Sequence, residues 1–101
     1  MLNGIFVNFE ESQSGDIKKN INMLFVSHRA EKKIKKILQI KNGSVTAYCS
    51  EKILNADKIV NGGRISGCTK GGNYLFIYKD KELFIINSAT YEIISAKRKA
   101  L

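Results

Sequence analysis

The chain has 101 residues, the size of one small domain, and its 44% of hydrophobic residues excludes a wholly disordered polypeptide. Lysine and arginine number 17 against 9 aspartates and glutamates, and this formal net charge of +8 favours a partner that is itself acidic. Two cysteines and one histidine cannot form a usual metal site, so we expect neither a metal ion nor a cofactor.

A β-strand is predicted first, at residues 4–9, because isoleucine, phenylalanine and valine are typical of strands, and residues 12–16 supply a turn. This apolar run has no basic leader and meets Glu10 and Glu11, which is unlike a signal peptide. No stretch approaches the ~18 apolar residues of a membrane span. We therefore expect a cytoplasmic protein with no membrane partner.

The next segment is ambiguous, and a helix follows it. Residues 17–25 carry apolar side chains at helical spacing, but residues 21–27 are equally suited to a strand, and periodicity does not decide between them. A helix is predicted at residues 28–41, with Ser27 as its N-cap and Asn42-Gly43 as its stop. Its polar face holds the densest basic cluster of the chain, namely Arg29, Lys32, Lys33, Lys35 and Lys36.

The middle of the chain has weaker signals. Residues 45–49 are predicted to form a short strand and residues 51–60 a weak helix. Residues 62–72 hold five of the eight glycines and indicate a loop or a bulged strand. Within them, Arg64 and Lys70 lie among backbone N–H groups that are able to form an anion-binding nest.

The last third predicts three antiparallel strands. Residues 74–78 and 83–86 are apolar runs joined by a polar turn at 79–82, with 83–86 as the central strand, and a second turn at 87–90 leads to residues 91–96. We therefore predict one α+β domain spanning residues 1–101, in which an antiparallel sheet packs against one or two helices. A basic tail closes the chain, with Lys97, Arg98 and Lys99.

Four segments resemble the consecutive sheet strands of the RelE and YafQ group of small basic ribonuclease toxins: residues 63–64, 73–79, 82–87 and 88–91. The resemblance covers about a third of the chain. It implies ribosome-dependent RNA cleavage, for which Arg64, Lys70 and Tyr91 are the candidate active-site groups. The catalytic histidines and the late arginine of YafQ-like members have no counterpart at comparable places in this sequence.

Three functions are consistent with these patterns. The leading hypothesis is a non-catalytic binding protein whose basic side chains engage nucleic acid or an acidic protein surface. The AT-rich codon bias implied by abundant isoleucine, lysine and asparagine also suggests a phage-type inhibitor of a host defence or nuclease system. The alternatives are the ribonuclease toxin and a structural module that pairs its strand edges in a homodimer. The candidate binding residues are Arg29, Lys32, Lys33, Lys35, Lys36, Arg64, Lys70, Lys97, Arg98 and Lys99.

Overall fold

The computed structural model describes residues 17–67 and 71–99, and the strand predicted at residues 4–9 lies outside them. The described part forms an α+β fold, as predicted, with a four-stranded antiparallel sheet and two α-helices that lie wholly within the described residues. The helices are α1 (His28–Leu38) and α2 (Val45–Leu54), and the strands are β1 (Lys58–Arg64), β2 (Asn73–Lys79), β3 (Glu82–Asn87) and β4 (Ile93–Arg98).

The sheet is an antiparallel meander in the order β1-β2-β3-β4. The three predicted strands are present, and β1 adds a fourth beside β2. Leu75 and Ile77 of β2 and Phe84 and Ile86 of β3 are buried, as the two-residue period of a strand requires for one face. This face turns toward the helices, so β2 and β3 form the centre of the core.

The core joins both helices to that sheet face. Ile34 and Leu38 of α1 belong to the same buried cluster as the buried residues of α2 and of the sheet. α1 lies along β4, and α2 lies against β2. The two helices therefore cover one side of the sheet.

α1 ends three residues earlier than predicted. Ser27 caps its start, since the side-chain oxygen accepts a hydrogen bond from the Ala30 N–H at 3.2 Å. The stop is Gln39, which adopts the left-handed conformation with φ 56°, and the Ile40 N–H then donates to the Lys35 carbonyl. The helix therefore closes before Asn42-Gly43, and the predicted end at residue 41 is wrong.

The strand predicted at residues 45–49 is wrong, because these residues begin α2. The helix predicted at 51–60 is correct only for 51–54, where α2 ends, since 58–60 belong to β1. Ser44 provides a cap that starts this helix, with its hydroxyl accepting from the Ala47 N–H at 2.9 Å. Val45, Cys49 and Ile53 recur every four residues and are fully buried. Packing of this stripe overrides the β-propensity of valine, threonine and tyrosine.

β1 extends into the glycine-rich segment. Its pairing with β2 contains a bulge between Asn61 and Arg64, so residues 62–64 are strand and not loop. Gly62 lies directly on the Phe76 ring, where any β-carbon would collide with it. The bulged-strand alternative is therefore correct for the start of the segment.

Residues 17–27 follow the helical alternative at their start, where 17–19 are α-helical, and they do not form the strand that was the other alternative for 21–27. Ile21–Met23 form a short 3-10 helix, and Phe25 makes a single parallel bridge to Glu92. The Phe25 N–H donates to the Tyr91 carbonyl, and the Ile93 N–H donates to the Phe25 carbonyl. This bridge covers part of the outer edge at the start of β4.

The last strand is shifted toward the C-terminus. Tyr91 has φ 64° and closes the turn that Asn87 holds, so β4 begins at Ile93 and not at residue 91. It continues to Arg98, where the sequence predicted a tail. Lys97 and Arg98 are therefore fixed in the sheet, and Arg98 is paired with Glu82 at the start of β3.

Candidate functional site

A cavity of about 570 Å³ opens at the end of the sheet where the β2–β3 turn meets the end of β4. We call it the Glu82 cavity. A second cavity of about 470 Å³ adjoins it and shares five of its lining residues. The lining of the Glu82 cavity consists of Tyr48, Lys52, Asp80, Lys81, Glu82, Arg98 and Lys99.

Glu82 forms the floor of this cavity, with only 4% of its side chain exposed. The Tyr48 hydroxyl lies 2.7 and 2.8 Å from the two carboxylate oxygens and donates to the carboxylate. Arg98 Nη2 donates to Oε2 at 3.1 Å, which follows from the direct pairing of the two residues across β3 and β4. A buried carboxylate is tolerated only when it is compensated in this way.

α2 supplies the opposite wall of the cavity. Tyr48 and Lys52 are four residues apart and therefore project from the same helix face. Lys52 Nζ is 2.8 Å from Asp80 Oδ2 and 5.5 Å from the centroid of the Tyr48 ring. A third distance, 3.8 Å to Glu82 Oε1, places this ammonium group between both carboxylates.

The electrostatics of this wall agree with the geometry. The hydrogen bond between Lys52 and Asp80 raises the pKa of Lys52 and lowers the pKa of Asp80. Burial, and then the hydrogen bond to Glu82, raises the pKa of Tyr48, so the phenol keeps its proton and acts as a donor. At neutral pH the site therefore holds charged lysine and aspartate next to a neutral tyrosine.

Arg98 is held from two sides at the mouth of the cavity. Besides its bond to Glu82, Arg98 Nη1 donates to Gln39 Oε1 at 3.3 Å, so α1 and β3 both orient the guanidinium group. An arginine has five N–H donors, and these two bonds leave three without a partner among residues 17–67 and 71–99. With 42% of its side chain exposed, Arg98 can offer these donors to a ligand.

The two largest predicted cation sets lie on α1 and around the second cavity. The five cations of α1 are all exposed, and we call them the helix face: Arg29, Lys32, Lys33, Lys35 and Lys36. Lys81 and the three cations predicted at the end of the chain line the second cavity. We call these four residues the basic end surface: Lys81, Lys97, Arg98 and Lys99. The contact between Gln39 and Arg98 connects the end of α1 to the basic end surface.

The remaining predicted residues lie elsewhere. Arg64 pairs with Asn73 at the start of β2, whereas the Glu82 cavity lies at the other end of that strand, roughly 20 Å away. Tyr91 precedes β4, and its hydroxyl is 3.3 Å from the amide nitrogen of Asn20. β2 and β3 separate β1 from β4, so Arg64 and Tyr91 lie at opposite edges of the sheet. Lys70 is outside the described residues.

Sequence reasoning missed six residues of the site, namely Gln39, Tyr48, Lys52, Asp80, Lys81 and Glu82. Glu82 did have a local signal, because it alternates with Phe84 and Ile86 and therefore shares their buried face. Tyr48 and Lys52 had none, since Tyr48 was predicted in a strand at 45–49 and Lys52 in a separate weak helix at 51–60. Gln39 lay inside a helix predicted to continue to residue 41. The partners of these three residues are 28 to 59 residues away in the chain.

Within the described ranges, no group of three or more histidine, cysteine, aspartate or glutamate side chains is arranged to hold a metal ion. Across the same residues, no helix has both the length and the apolar character to cross a membrane. No protein-family model, no curated protein and no solved structure matches this chain.

Proposed function

We propose that this chain is a non-catalytic nucleic-acid-binding protein that holds the phosphate backbone with its basic end surface and helix face. The observation that carries the proposal is the position of the Arg98 guanidinium group. This guanidinium group is oriented by Glu82 and Gln39, stands among three lysines, and keeps donors available for an anion.

Nucleic acid is favoured over an acidic protein because of how the cations are distributed. The helix face follows an 11-residue helix, roughly 16 Å long, and the Gln39–Arg98 contact extends it to the basic end surface. Eight of the nine cations in these two sets, all but Arg98 at the cavity mouth, have no ion pair within the described part of the chain. A phosphate backbone can neutralise such a row at regular intervals, and lysines suit it because they need no particular base.

Binding is favoured over catalysis because both carboxylates in the cavity are already engaged, Asp80 by Lys52 and Glu82 by Tyr48 and Arg98. The Tyr48 hydroxyl donates its one proton to the Glu82 carboxylate, and Arg98 donates to Oε2, so in our proposal Glu82 positions cations and does not take a proton from a substrate. The ribonuclease alternative has less support, since Arg64 and Tyr91 do not lie together.

Self-association through a strand edge also has less support. β1 is an outer strand, but it carries a bulge, two glycines at positions 62 and 63, and the exposed cations Lys58 and Arg64. Bulges and charges at an edge discourage pairing with another strand.

The proposal is tested by fluorescence anisotropy with labelled 12-nucleotide RNA and DNA strands at ~50 mM salt, where phosphate contacts are strong. Replacing Lys32, Lys35 and Lys36 with glutamate should abolish binding while the far-UV circular dichroism spectrum stays unchanged, because all three side chains are exposed.

A matched control replaces Lys18, Lys19 and Lys58, which are equally exposed, with glutamate. Both variants have the same formal net charge, so only the position of the charges differs, and the control should retain most of the affinity. If the native protein binds neither strand, or if both variants lose affinity equally, the proposed surface is wrong. Strands recovered from the titration should be intact on a denaturing gel, and shortened RNA would support the ribonuclease alternative instead.

A further inference from the structure

We propose that the Glu82 cavity captures the terminal phosphate of a nucleic-acid strand whose backbone lies on the basic end surface. This inference rests on the proposed function and adds to it a preference for one kind of strand end. It is argued from the cavity, from the balance of charge in its lining and from the side chains that line its mouth.

Part of the charge in the cavity is already balanced. The lining contains four cations and two carboxylates, which leaves an excess of two positive charges. Lys52 is paired with Asp80, and Glu82 is paired with Arg98. The excess therefore resides on Lys81 and Lys99, neither of which has an ion pair in the described ranges.

The backbone holds these two lysines together. The Lys99 N–H donates to the Lys81 carbonyl at 2.7 Å, which fixes the end of β4 to the β2–β3 turn. Both residues line the Glu82 cavity and the adjoining cavity, and Arg98 lies beside them in both. Lys81, Lys99 and Arg98, with its three remaining donors, thus line one opening.

This arrangement fits a phosphate monoester better than an internal phosphodiester. A monoester carries about −1.5 to −2 charges at pH 7, which matches the excess of two, whereas a phosphodiester carries one. A terminal phosphate also has a single connection to its strand and can enter a cavity without threading the chain through it. The volume of about 570 Å³ lies within the range of small-ligand pockets and admits the phosphate with its sugar.

Glu82 has a positioning role in this pocket. It lies behind Arg98 with 4% of its side chain exposed, and its oxygens accept from Arg98 and Tyr48. The carboxylate thereby fixes the guanidinium group toward the opening, while its own charge is compensated before an anion arrives.

The test compares 12-nucleotide strands of one sequence with a 5′-phosphate, with a 3′-phosphate, or with hydroxyl groups at both ends. One phosphorylated form should bind the native protein at least ~10-fold more tightly than the hydroxyl form at ~150 mM salt, and ~10 mM inorganic phosphate should remove this preference. A nucleoside monophosphate that binds as tightly as the phosphorylated strand would show that the pocket serves free nucleotides, and would overturn the inference.

Two paired variants locate the effect. Replacing Lys81 and Lys99, both exposed, with glutamine should reduce the preference to about onefold, while the hydroxyl-ended strand still binds. Replacing Lys32 and Lys33 with glutamine should weaken all three strands equally and retain the preference. Equal affinity for all ends in the native protein would overturn the inference alone, whereas no binding to any strand would overturn the proposed function.

Discussion

Glu82 is a carboxylate that the sheet buries and three side chains compensate, so its removal tests the site at a single residue. Glu82→Gln keeps the shape and one acceptor, but Arg98 and Lys52 then lose the negative charge that balances them. We expect the free energy of unfolding to fall by about 1–3 kcal/mol, as measured by urea denaturation. The range is modest because Arg98 and Lys52 retain contact with water.

Glu51 provides the control for that substitution. It lies on α2, its side chain is exposed, and Glu51→Gln removes the same charge from the same helix-and-sheet unit. We expect a change within about 0.5 kcal/mol. Equal losses of stability in both variants would mean that the Glu82 contacts contribute nothing beyond net charge.

The buried thiol of Cys49 should make the stability of the fold depend on pH in the alkaline range. Burial, and then the charge of Glu82, raises the pKa of its thiol to about 12. In the unfolded chain the thiol loses its proton above about pH 9, whereas the folded protein keeps it, so the unfolded state binds fewer protons. Stability should therefore be constant below pH 9 and fall above it, with a slope approaching about 1.4 kcal/mol per pH unit for one thiol.

Urea denaturation between pH 7 and 10 measures this slope. Cys49→Ala should be less stable at every pH because it leaves a cavity, but its stability should fall less steeply between pH 9 and 10. Cys68 is present in both proteins and cancels in the comparison. Tyr48 and Lys52 also have raised pKa values and contribute a decline of the same sign at higher pH. Parallel curves for the two proteins would contradict the assignment to Cys49.

Among the elements, α2 depends most on one local contact. Ser44 caps a helix of 10 residues, in a segment whose valine, threonine and tyrosine otherwise favour a strand. Ser44→Ala should lower the free energy of unfolding by about 1 kcal/mol, whereas Ser44→Asn should retain the native value because asparagine also caps helices. A Ser44→Ala protein as stable as the native one in thermal denaturation would show that the buried stripe of α2 suffices.

α1 and the β2–β3 hairpin could be predicted because their signals are local. The helix has a cap, an apolar stripe and an amphipathic period, and the hairpin has two apolar runs around a short polar turn. α2 and β1 could not, since Val45, Cys49 and Ile53 fit a helix only once the sheet exists for them to pack against. The bulge of β1 likewise depends on the Phe76 ring beneath Gly62, a contact that no local pattern encodes.

The candidate site was predicted in the same uneven way. The cations of the helix face and of residues 97–99 were predicted, because dense runs of lysine and arginine are visible in a sequence, whereas Lys52 and Lys81 lie outside such runs and were not. The grouping of these side chains in space was not predicted, since Arg98 contacts Gln39, 59 residues away in the chain, and Glu82, 16 residues away. Arg64 looked equivalent to Arg98 in the sequence and differs from it only in its place in the meander.

At the scale of the whole molecule, the different positions of Arg98 and Arg64 predict different effects of the two residues on the salt dependence of binding. The affinity for a single strand falls with rising salt because each phosphate contact releases counterions, with a slope of about −0.7 per contact in a double-logarithmic plot. Arg98 belongs to the basic end surface and contacts Gln39 at the end of α1, whereas Arg64 lies at the far end of β1, roughly 20 Å from the cavity. The formal net charge of +8 is the same starting point for both substitutions.

We therefore expect Arg98→Gln to reduce the magnitude of this slope by about 0.7 and Arg64→Gln to leave it unchanged, when anisotropy titrations are made between ~50 and ~200 mM salt. Both variants have a formal net charge one unit below that of the native protein, so a purely diffuse attraction would lower both slopes equally. Equal slopes would mean that the strand is held by the overall charge and not along the surface that joins α1 to the end of β4. A larger effect of Arg64 would move the binding surface to the glycine-rich end of the sheet.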